Sequence, residues 1–484
     1  MLRLLIPAPL ETPDDLAERY RQTRSFDKAE VRLVRFLSRQ ENSLEKEQAH
    51  TLRLALNLAR LWVLECADGR SLALGPKLGE IREKVRIFAR QVREDKSLDL
   101  KTLGQDAEKL KPLLKEAQTK LLADFSGQIP QSELDRELRT KTLALVLGGG
   151  GGSGYVHLGA LSLLERLGIN PGLVVGSSLG SIMGIFRCRY AEYRAEMVER
   201  VTSGLTFKNL FRVLEGEARY GLPGTMRLYL RSAMAKYFMN DNNQVVGLSE
   251  LEIPFICVVT GVRRDAIQSD LLRYEHEFAK RLRRGPLGAL LHVKDLVKSW
   301  AKVMKDLITS GGIKPIAIGS CAHTRDYDAL DAVGFSCSVP ALIHYDILRD
   351  DPRMHELTHQ LLRSHEVEHL IDGGISANVP ARLAWEAIQR GHIKTRNTFI
   401  LGLDCFAPQL RRNMIFLPLM RIAAENVSRD RKFAHHLFTY KKVLSPASLL
   451  PNAKSLKRAI YNGERELEVE SKFITAMLEP LTHI

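Results

Sequence analysis

Apolar residues recur at helical spacing from the start of the chain to about residue 140. In AHTLRLALNLARLWVLECA (Ala49–Ala67) they return every three or four positions, and LGEIREKVRIFARQVRED repeats the pattern, so this whole region reads as amphipathic helix. A helix start is expected at ETPDD: Thr12 can cap it, Pro13 suits the first helical position, and Asp14 and Asp15 suit the positive end of the dipole. At Thr142 the period changes. TLALVL is a short apolar run leading into GGGGGSG, followed by the helical pattern YVHLGALSLLERLG and a second apolar run, LVVG. Strand, glycine loop, helix, strand begins a βαβ unit, which predicts a largely parallel sheet. Further strands are expected at FICVVTGV (Phe255–Val262), PIAIGS, HLID (His369–Asp372) and TFILGLD (Thr398–Asp404). After Asp404 the pattern is again mostly helical. The expected division is a helical region over 1–140, an α/β domain over 141–405 with a mainly parallel central sheet flanked by helices, and a helical region over 406–484.

Composition narrows the class. The chain has 484 residues, 45% hydrophobic and 26% charged, as in a globular protein with more than one folding unit. No window approaches the roughly 18–20 apolar residues of a membrane span, and the first residues, MLRLLIPAPLETPDD, lack the long apolar core of a secretory signal. The expectation is a cytoplasmic protein, with peripheral contact to a membrane. Cys66, Cys188, Cys257, Cys321, Cys337 and Cys405 are scattered without a C-x-x-C pair, which speaks against a disulfide framework or a cysteine zinc site. Lys and Arg number 71 against 57 Asp and Glu, a net charge of +14. That excess suits an acidic partner, either nucleic acid or an anionic membrane surface, and equally a well-solvated basic face. Between Arg273 and Leu307 two basic amphipathic patterns, split at Gly285-Pro286 and carrying Trp300, read either as a membrane-facing lid or as surface helices.

Three constellations carry chemistry. Gly176-Ser177-Ser178-Leu179-Gly180 is G-x-S-x-G between a strand and a helix, the setting in which a serine hydroxyl stands exposed at a sharp turn. The glycine run Gly148–Gly154 ends a strand and opens a helix, so its backbone N–H groups can face an oxyanion or a phosphate. A dinucleotide site would need an acidic residue about 20 positions on, where the serine motif stands instead, and a Walker loop would need Gly-Lys-Ser/Thr. Asp372-Gly373-Gly374 follows the HLID strand; such a carboxylate can serve as a general base, although Asp-Gly is also an ordinary turn pair.

In this order the three motifs resemble the patatin-like phospholipase family. Gly149-Gly150-Gly151-Gly152-Ser153-Gly154 matches its first element, His157-Leu158-Gly159-Ala160-Leu161 continues it, and FSCSVPAL (Phe335–Leu342) is similar to the segment ahead of the family's aspartate. The likeness spans about Thr142 to Asp404. It implies a Ser–Asp dyad with Ser178 as nucleophile and Asp372 as base. It also implies oxyanion donors among Gly149, Gly150, Gly151 and Gly152, structural roles for Gly154, Gly176, Gly180, Gly373 and Gly374, and no cofactor or metal. The implied substrate is a phospholipid or other acyl ester, with no nucleic acid expected. Many family members carry Arg or Lys where this chain has Ser153, which leaves a charge contact near the loop in question.

Two other readings use the same residues or different ones. A protein that kept the fold could bind lipid without turnover. His355-Glu356-Leu357-Thr358-His359 is H-E-x-x-H, which on a helix could hold zinc for a peptidase, with Glu386 as a third ligand. His365 and His369 repeat the spacing but run into a strand, where the geometry fails. His157 reads as a packing or hydrogen-bonding residue.

Overall fold

In the computed structural model, residues 12–40, 44–95, 97–213, 218–263, 309, 311–407 and 417–482 are described. The basic patterns between Arg273 and Leu307 lie outside them. The chain divides into two compact units, one made of residues 1–143, 385–400 and 469–484, the other of 144–384 and 401–468.

In the first unit the helix Pro13–Leu37 starts as its sequence requires. The Thr12 hydroxyl accepts the Asp15 N–H at 3.2 Å, and the Asp15 carboxylate accepts the Thr12 N–H at 2.9 Å. The next helix, Lys46–Arg60, buries one residue after another, including Leu52, Leu54, Leu56 and Leu58. It does not run on to Ala67. The chain leaves it at Leu61 and forms a small antiparallel hairpin of strands β1 (Val63–Glu65) and β2 (Ser71–Ala73), turning at Asp68-Gly69. The apolar run had the right composition for either element; the aromatic and β-branched residues after Arg60 and the Asp-Gly turn decide for strand.

A charged cluster sits inside this unit. The Glu30 carboxylate is fully buried and meets Arg53 at 3.3 Å, Arg60 at 3.0 Å and Lys141 at 3.0 Å. Burial alone would raise its pKa, but the three cations hold it well below the usual carboxylate range. Arg53 also donates to the carbonyls of Ala476 and Met477, both at 2.8 Å.

The second unit is built on a seven-stranded sheet. Its strands are β3 (Thr142–Leu147), β4 (Pro171–Ser177), β7 (Phe255–Arg263), β8 (Ile313–Ile318), β10 (Val367–Ile371), β11 (Thr398–Asp404) and β12 (His436–Thr439), in the order β10-β7-β4-β3-β11-β12 with β8 also on β7. Three short strands, β5 (Phe211–Val213), β6 (Gly224–Leu228) and β9 (Ala341–His344), form a separate sheet. All the strands expected from apolar runs are present. The main sheet is α/β and mainly parallel, but β8 and β10 run antiparallel to β7.

Strand β7 is what brings the ends of two other strands together. Strand β8 pairs with Cys257–Val262, so β4 and β10 must share the opposite edge. Strand β4 takes the first part of that edge in parallel, ending with Ser177 opposite Val258. Strand β10 takes the second part antiparallel, ending with Ile371 opposite Thr260. Their C-terminal ends therefore meet head to head beside Val259, and the next residues are Ser178 and Asp372.

Candidate active site

Ser178 stands between β4 and the helix Leu179–Cys188 with φ 50° and ψ −132°. A non-glycine residue rarely adopts this conformation, which costs roughly 1–3 kcal/mol, so the surroundings must enforce it. They do so through several contacts. The Ser178 N–H donates to Ser336 Oγ at 2.8 Å, and Ser336 Oγ donates to Val258 O at 2.6 Å. The Ser178 carbonyl accepts the Ser181 N–H at 2.8 Å and its hydroxyl at 2.6 Å. The flanking glycines leave room for the turn: a Cβ on Gly180 would lie 2.4 Å from Leu147 O, and one on Gly176 would lie 2.7 Å from Gly180 O. What remains of Ser178 is a hydroxyl facing a cavity at the positive end of a helix.

Asp372 lines the same cavity. Its Oδ1 accepts the Gly374 N–H at 2.8 Å, while Oδ2 is buried with no partner at normal hydrogen-bond geometry. Burial pushes the carboxyl from its ordinary 3.8 up to about 6, against the opposing pull of the Ser178 hydroxyl and the Gly374 N–H. The Ser178 hydroxyl is therefore close enough to Asp372 to lower its proton affinity, without a hydrogen bond of normal geometry between the two. The backbone around Asp372 is fixed by Thr260, which donates to its carbonyl at 2.8 Å, and by its own N–H on Ser338 O at 2.8 Å. Gly373 and Gly374 open the short helix Gly374–Ala377, whose Gly374 and Ile375 carbonyls are held by the Asn426 amide at 3.0 Å and 3.1 Å.

The glycine loop runs beside Ser178 but does not offer all its amides. The Gly149 N–H is taken by Asn378 O at 3.2 Å and the Gly152 N–H by Pro446 O at 2.9 Å. Gly150 and Gly151 are the two that line the cavity with Ser178. At the root of the loop, His157 Nε2 lies 2.8 Å from Gly148 O, and burial depresses the imidazole to about 4. A neutral ring that donates from Nε2 ties the loop to the helix Val156–Arg166. Ser153 is buried and donates to Gly150 O at 2.7 Å, so here the loop is closed by a neutral contact where many relatives of the motif carry a cation. Gly154 packs against Leu179.

Several contributors were not singled out by the sequence, although Ser336 lies within the FSCSVPAL segment. Ser336 and Asn378 each act through contacts to residues more than a hundred positions away; Asn378, 2% exposed, also has an Nδ2 without a partner on the cavity wall. A third is the segment Ser445–Leu449. Besides holding Gly152, it accepts the Tyr155 hydroxyl on Leu449 O at 2.6 Å, and its Pro446 and Leu449 wall the cavity. The helix that follows, Ala453–Glu468, crosses Val156–Arg166 at two glycines. A Cβ on Gly159 would be 2.0 Å from Ile460 O, and one on Gly463 would be 2.0 Å from Val156 O.

The histidine motif takes a different form from a metal site. It lies on the helix Pro352–Ser364 as expected, and both rings turn to Tyr220, whose hydroxyl is 2.8 Å from His355 Nδ1 and 3.4 Å from His359 Nε2. His365 caps that helix, and Glu386 of the helix Ala381–Gln389 faces Arg390, just past that helix's end, at 4.0 Å. Among the described residues no three His, Cys, Asp or Glu side chains come together as a zinc site would need. The six cysteines are all unpaired, and all but Cys321 are buried.

A strained serine between strand and helix, a buried carboxylate facing it and a glycine loop beside both define an α/β protein of the nucleophile-elbow class. Within that class the chain belongs to the patatin-like phospholipase family, whose model its residues 145–385 match. It is 33% identical to human (Homo sapiens) patatin-like phospholipase domain-containing protein 6 over 137 residues, 28% of this chain and 10% of that protein. It is 40% identical to Lysophospholipase NTE1 of Pyricularia oryzae over 70 residues, 14% of this chain and 4% of that protein. To neuropathy target esterase sws of Drosophila melanogaster it is 42% identical over 68 residues, 14% and 5% of the two chains. The chain thus spans a tenth or less of the length of these relatives. Among the described residues no helix is long and apolar enough to cross a membrane.

Proposed function

We propose that the protein hydrolyses acyl esters of lipids through a covalent intermediate on Ser178. The observation that carries the reading is the head-to-head meeting of β4 and β10, which sets the Ser178 hydroxyl opposite the buried Asp372 carboxylate on one cavity wall. Asp372 takes the serine proton as Oγ attacks the ester carbonyl, and its pKa of about 6 suits a base working near neutral pH. The negative charge that forms on the carbonyl oxygen is met by the Gly150 and Gly151 N–H groups, which line the cavity and for which no acceptor stands among the described residues, and by the dipole of the helix Leu179–Cys188. Asp372 then hands the proton to the departing alcohol and activates the water that frees Ser178. The family name and the two relatives named as lysophospholipase and esterase support a lipid substrate. The net charge of +14 supports work at an anionic membrane surface.

The reading is tested with fatty acid release from phospholipid and from a soluble p-nitrophenyl ester. Ser178→Ala is expected to abolish turnover of both, and a fluorophosphonate probe should label the wild type and leave Ser178→Ala unlabelled. Undiminished turnover by Ser178→Ala would sink the assignment.

A further inference from the structure

Asn378, at the end of the short helix Gly374–Ala377, stands where the three motifs meet. Its carbonyl accepts the Gly149 N–H at 3.2 Å and the Ser177 hydroxyl at 2.6 Å, while its own N–H donates to Asn426 Oδ1 at 2.8 Å. Two glycines leave room for its side chain. A Cβ on Gly149 would lie 3.0 Å from Asn378 Oδ1 and 2.8 Å from Ser178 Cβ. A Cβ on Gly374 would lie 2.8 Å from Asn378 Oδ1 and 3.0 Å from Asp372 Oδ1. The carboxamide therefore ends beside both members of the dyad, on the wall of the cavity they share.

Two complementary polar atoms remain there. Asn378 Nδ2 is a buried donor and Asp372 Oδ2 a buried acceptor, and neither has a partner at normal hydrogen-bond geometry among the described residues. A buried polar group without a partner weakens the fold, and a leucine of similar size in place of Asn378 would avoid that loss. A group that satisfies both atoms at once must donate one hydrogen bond and accept another, as a hydroxyl does. The ester linkage itself has no O–H to donate. The reaction supplies one twice, in the alcohol that departs during acylation and in the water that enters afterwards.

We propose that Asn378 and Asp372 together hold the water that frees Ser178, the amide donating to the water and the water donating to the carboxylate. The inference rests on the hydrolase reading above and adds a residue to it. With one lone pair on the amide and one O–H on the carboxylate, the water keeps its second lone pair for the acyl carbon. As the water oxygen bonds that carbon, its proton passes to Asp372. The bond from the carbon to Ser178 Oγ then breaks, Oγ takes the proton back, and the carboxylic acid is released.

A p-nitrophenyl ester separates the two halves of the reaction, because p-nitrophenolate departs without needing a proton. Asn378→Leu and Asn378→Ala should each react with a fluorophosphonate at the wild-type rate and release a rapid burst of one p-nitrophenolate per active chain. Steady turnover after the burst should fall about 10²-fold, the usual effect of a misplaced reactant. Mass spectrometry of the quenched variants should find the acyl group on Ser178. Burst and labelling lost in step with turnover would overturn the inference, since the amide would then shape the elbow or the glycine loop alone. Undiminished turnover overturns it too. A crystal structure of the wild type checks the same contact without a variant. An ordered oxygen bonded to both the Asp372 carboxylate and the Asn378 amide is expected, and an amide bonded to protein groups alone overturns the assignment. A wild type that neither labels nor hydrolyses the ester removes the hydrolase reading itself.

Discussion

Asp372→Asn separates what the carboxylate does for the reaction from what it does to the fold. The side chain is buried, and its pKa moves from 3.8 to about 6 on folding. Every tenfold change in proton affinity corresponds to about 1.4 kcal/mol, so at pH 7–8 the ionised carboxylate destabilises the native state by about 3 kcal/mol. The sign follows from proton binding. Between pH 3.8 and 6 the native state holds the proton more tightly than the unfolded chain does, so the favourable contribution of the protonated group is complete below 3.8 and is lost as pH rises through 6. The amide is isosteric and cannot ionise. It keeps the acceptor for the Gly374 N–H and removes the buried charge. Asp372→Asn should therefore be more stable than wild type by about 2–3 kcal/mol at pH 7.5, and no more stable at pH 3.5. Urea unfolding of both proteins across that range gives the difference directly, and the comparison cancels the titration of other groups. The same variant should lose about 10²–10⁴-fold in kcat, the usual contribution of a positioned general base. A wild-type profile of kcat/KM should rise with pH and level off above about 6. A stability difference independent of pH, or a loss of stability at pH 7.5, would refute the reasoning, because it would mean that burial does not strain this carboxylate.

Two further outcomes are expected. Glu30→Gln leaves the Arg53 and Lys141 cations facing a neutral amide inside the first unit, and should lower the unfolding free energy by about 3–5 kcal/mol in denaturant titrations. Gly463→Ala puts a methyl group 2.0 Å from Val156 O and forces its helix away from Val156–Arg166; since the preceding Ser445–Leu449 segment holds the Gly152 N–H, kcat should fall far more than KM rises, with fluorophosphonate labelling lost in parallel.

How much of this could be read from the chain depends on how local each cause is. The Ser178 turn could be read because strand, glycines and helix all lie within about a dozen residues, and the strand runs around it are short and strongly apolar. The place of Asp372 could not. It depends on β10 running antiparallel along the free part of β7's edge, a register decided between residues more than a hundred positions apart, in a sheet whose alternation with helices predicts parallel strands. Which glycine amides stay open was equally hidden, because the acceptors for Gly149 and Gly152 are carbonyls of Asn378 and Pro446. The hairpin after Arg60 shows the opposite failure: there the local pattern was present, but an apolar run of that length suits helix and strand alike. His355 and His359 came together on one helix face as their spacing predicts, and found a tyrosine hydroxyl there.

The interleaving of the two units has a consequence for how the protein is made. A ribosome delivers residues 1–143 before residues 144–468, and the earlier of two units ordinarily folds while the later one is still being synthesised. Here that order is blocked. The Arg53 guanidinium is buried against the carbonyls of Ala476 and Met477, which emerge 423 and 424 positions later, and residues 385–400 belong to the same unit. Until then the Arg53 guanidinium has Glu30 but lacks the two backbone acceptors that complete its buried site. The second unit, by contrast, takes its own residues from no further along the chain than 468. The unit that residues 1–143 begin thus closes only after the unit that follows them in the chain, and a ribosome stalled after residue 468 would leave the helical unit unfinished.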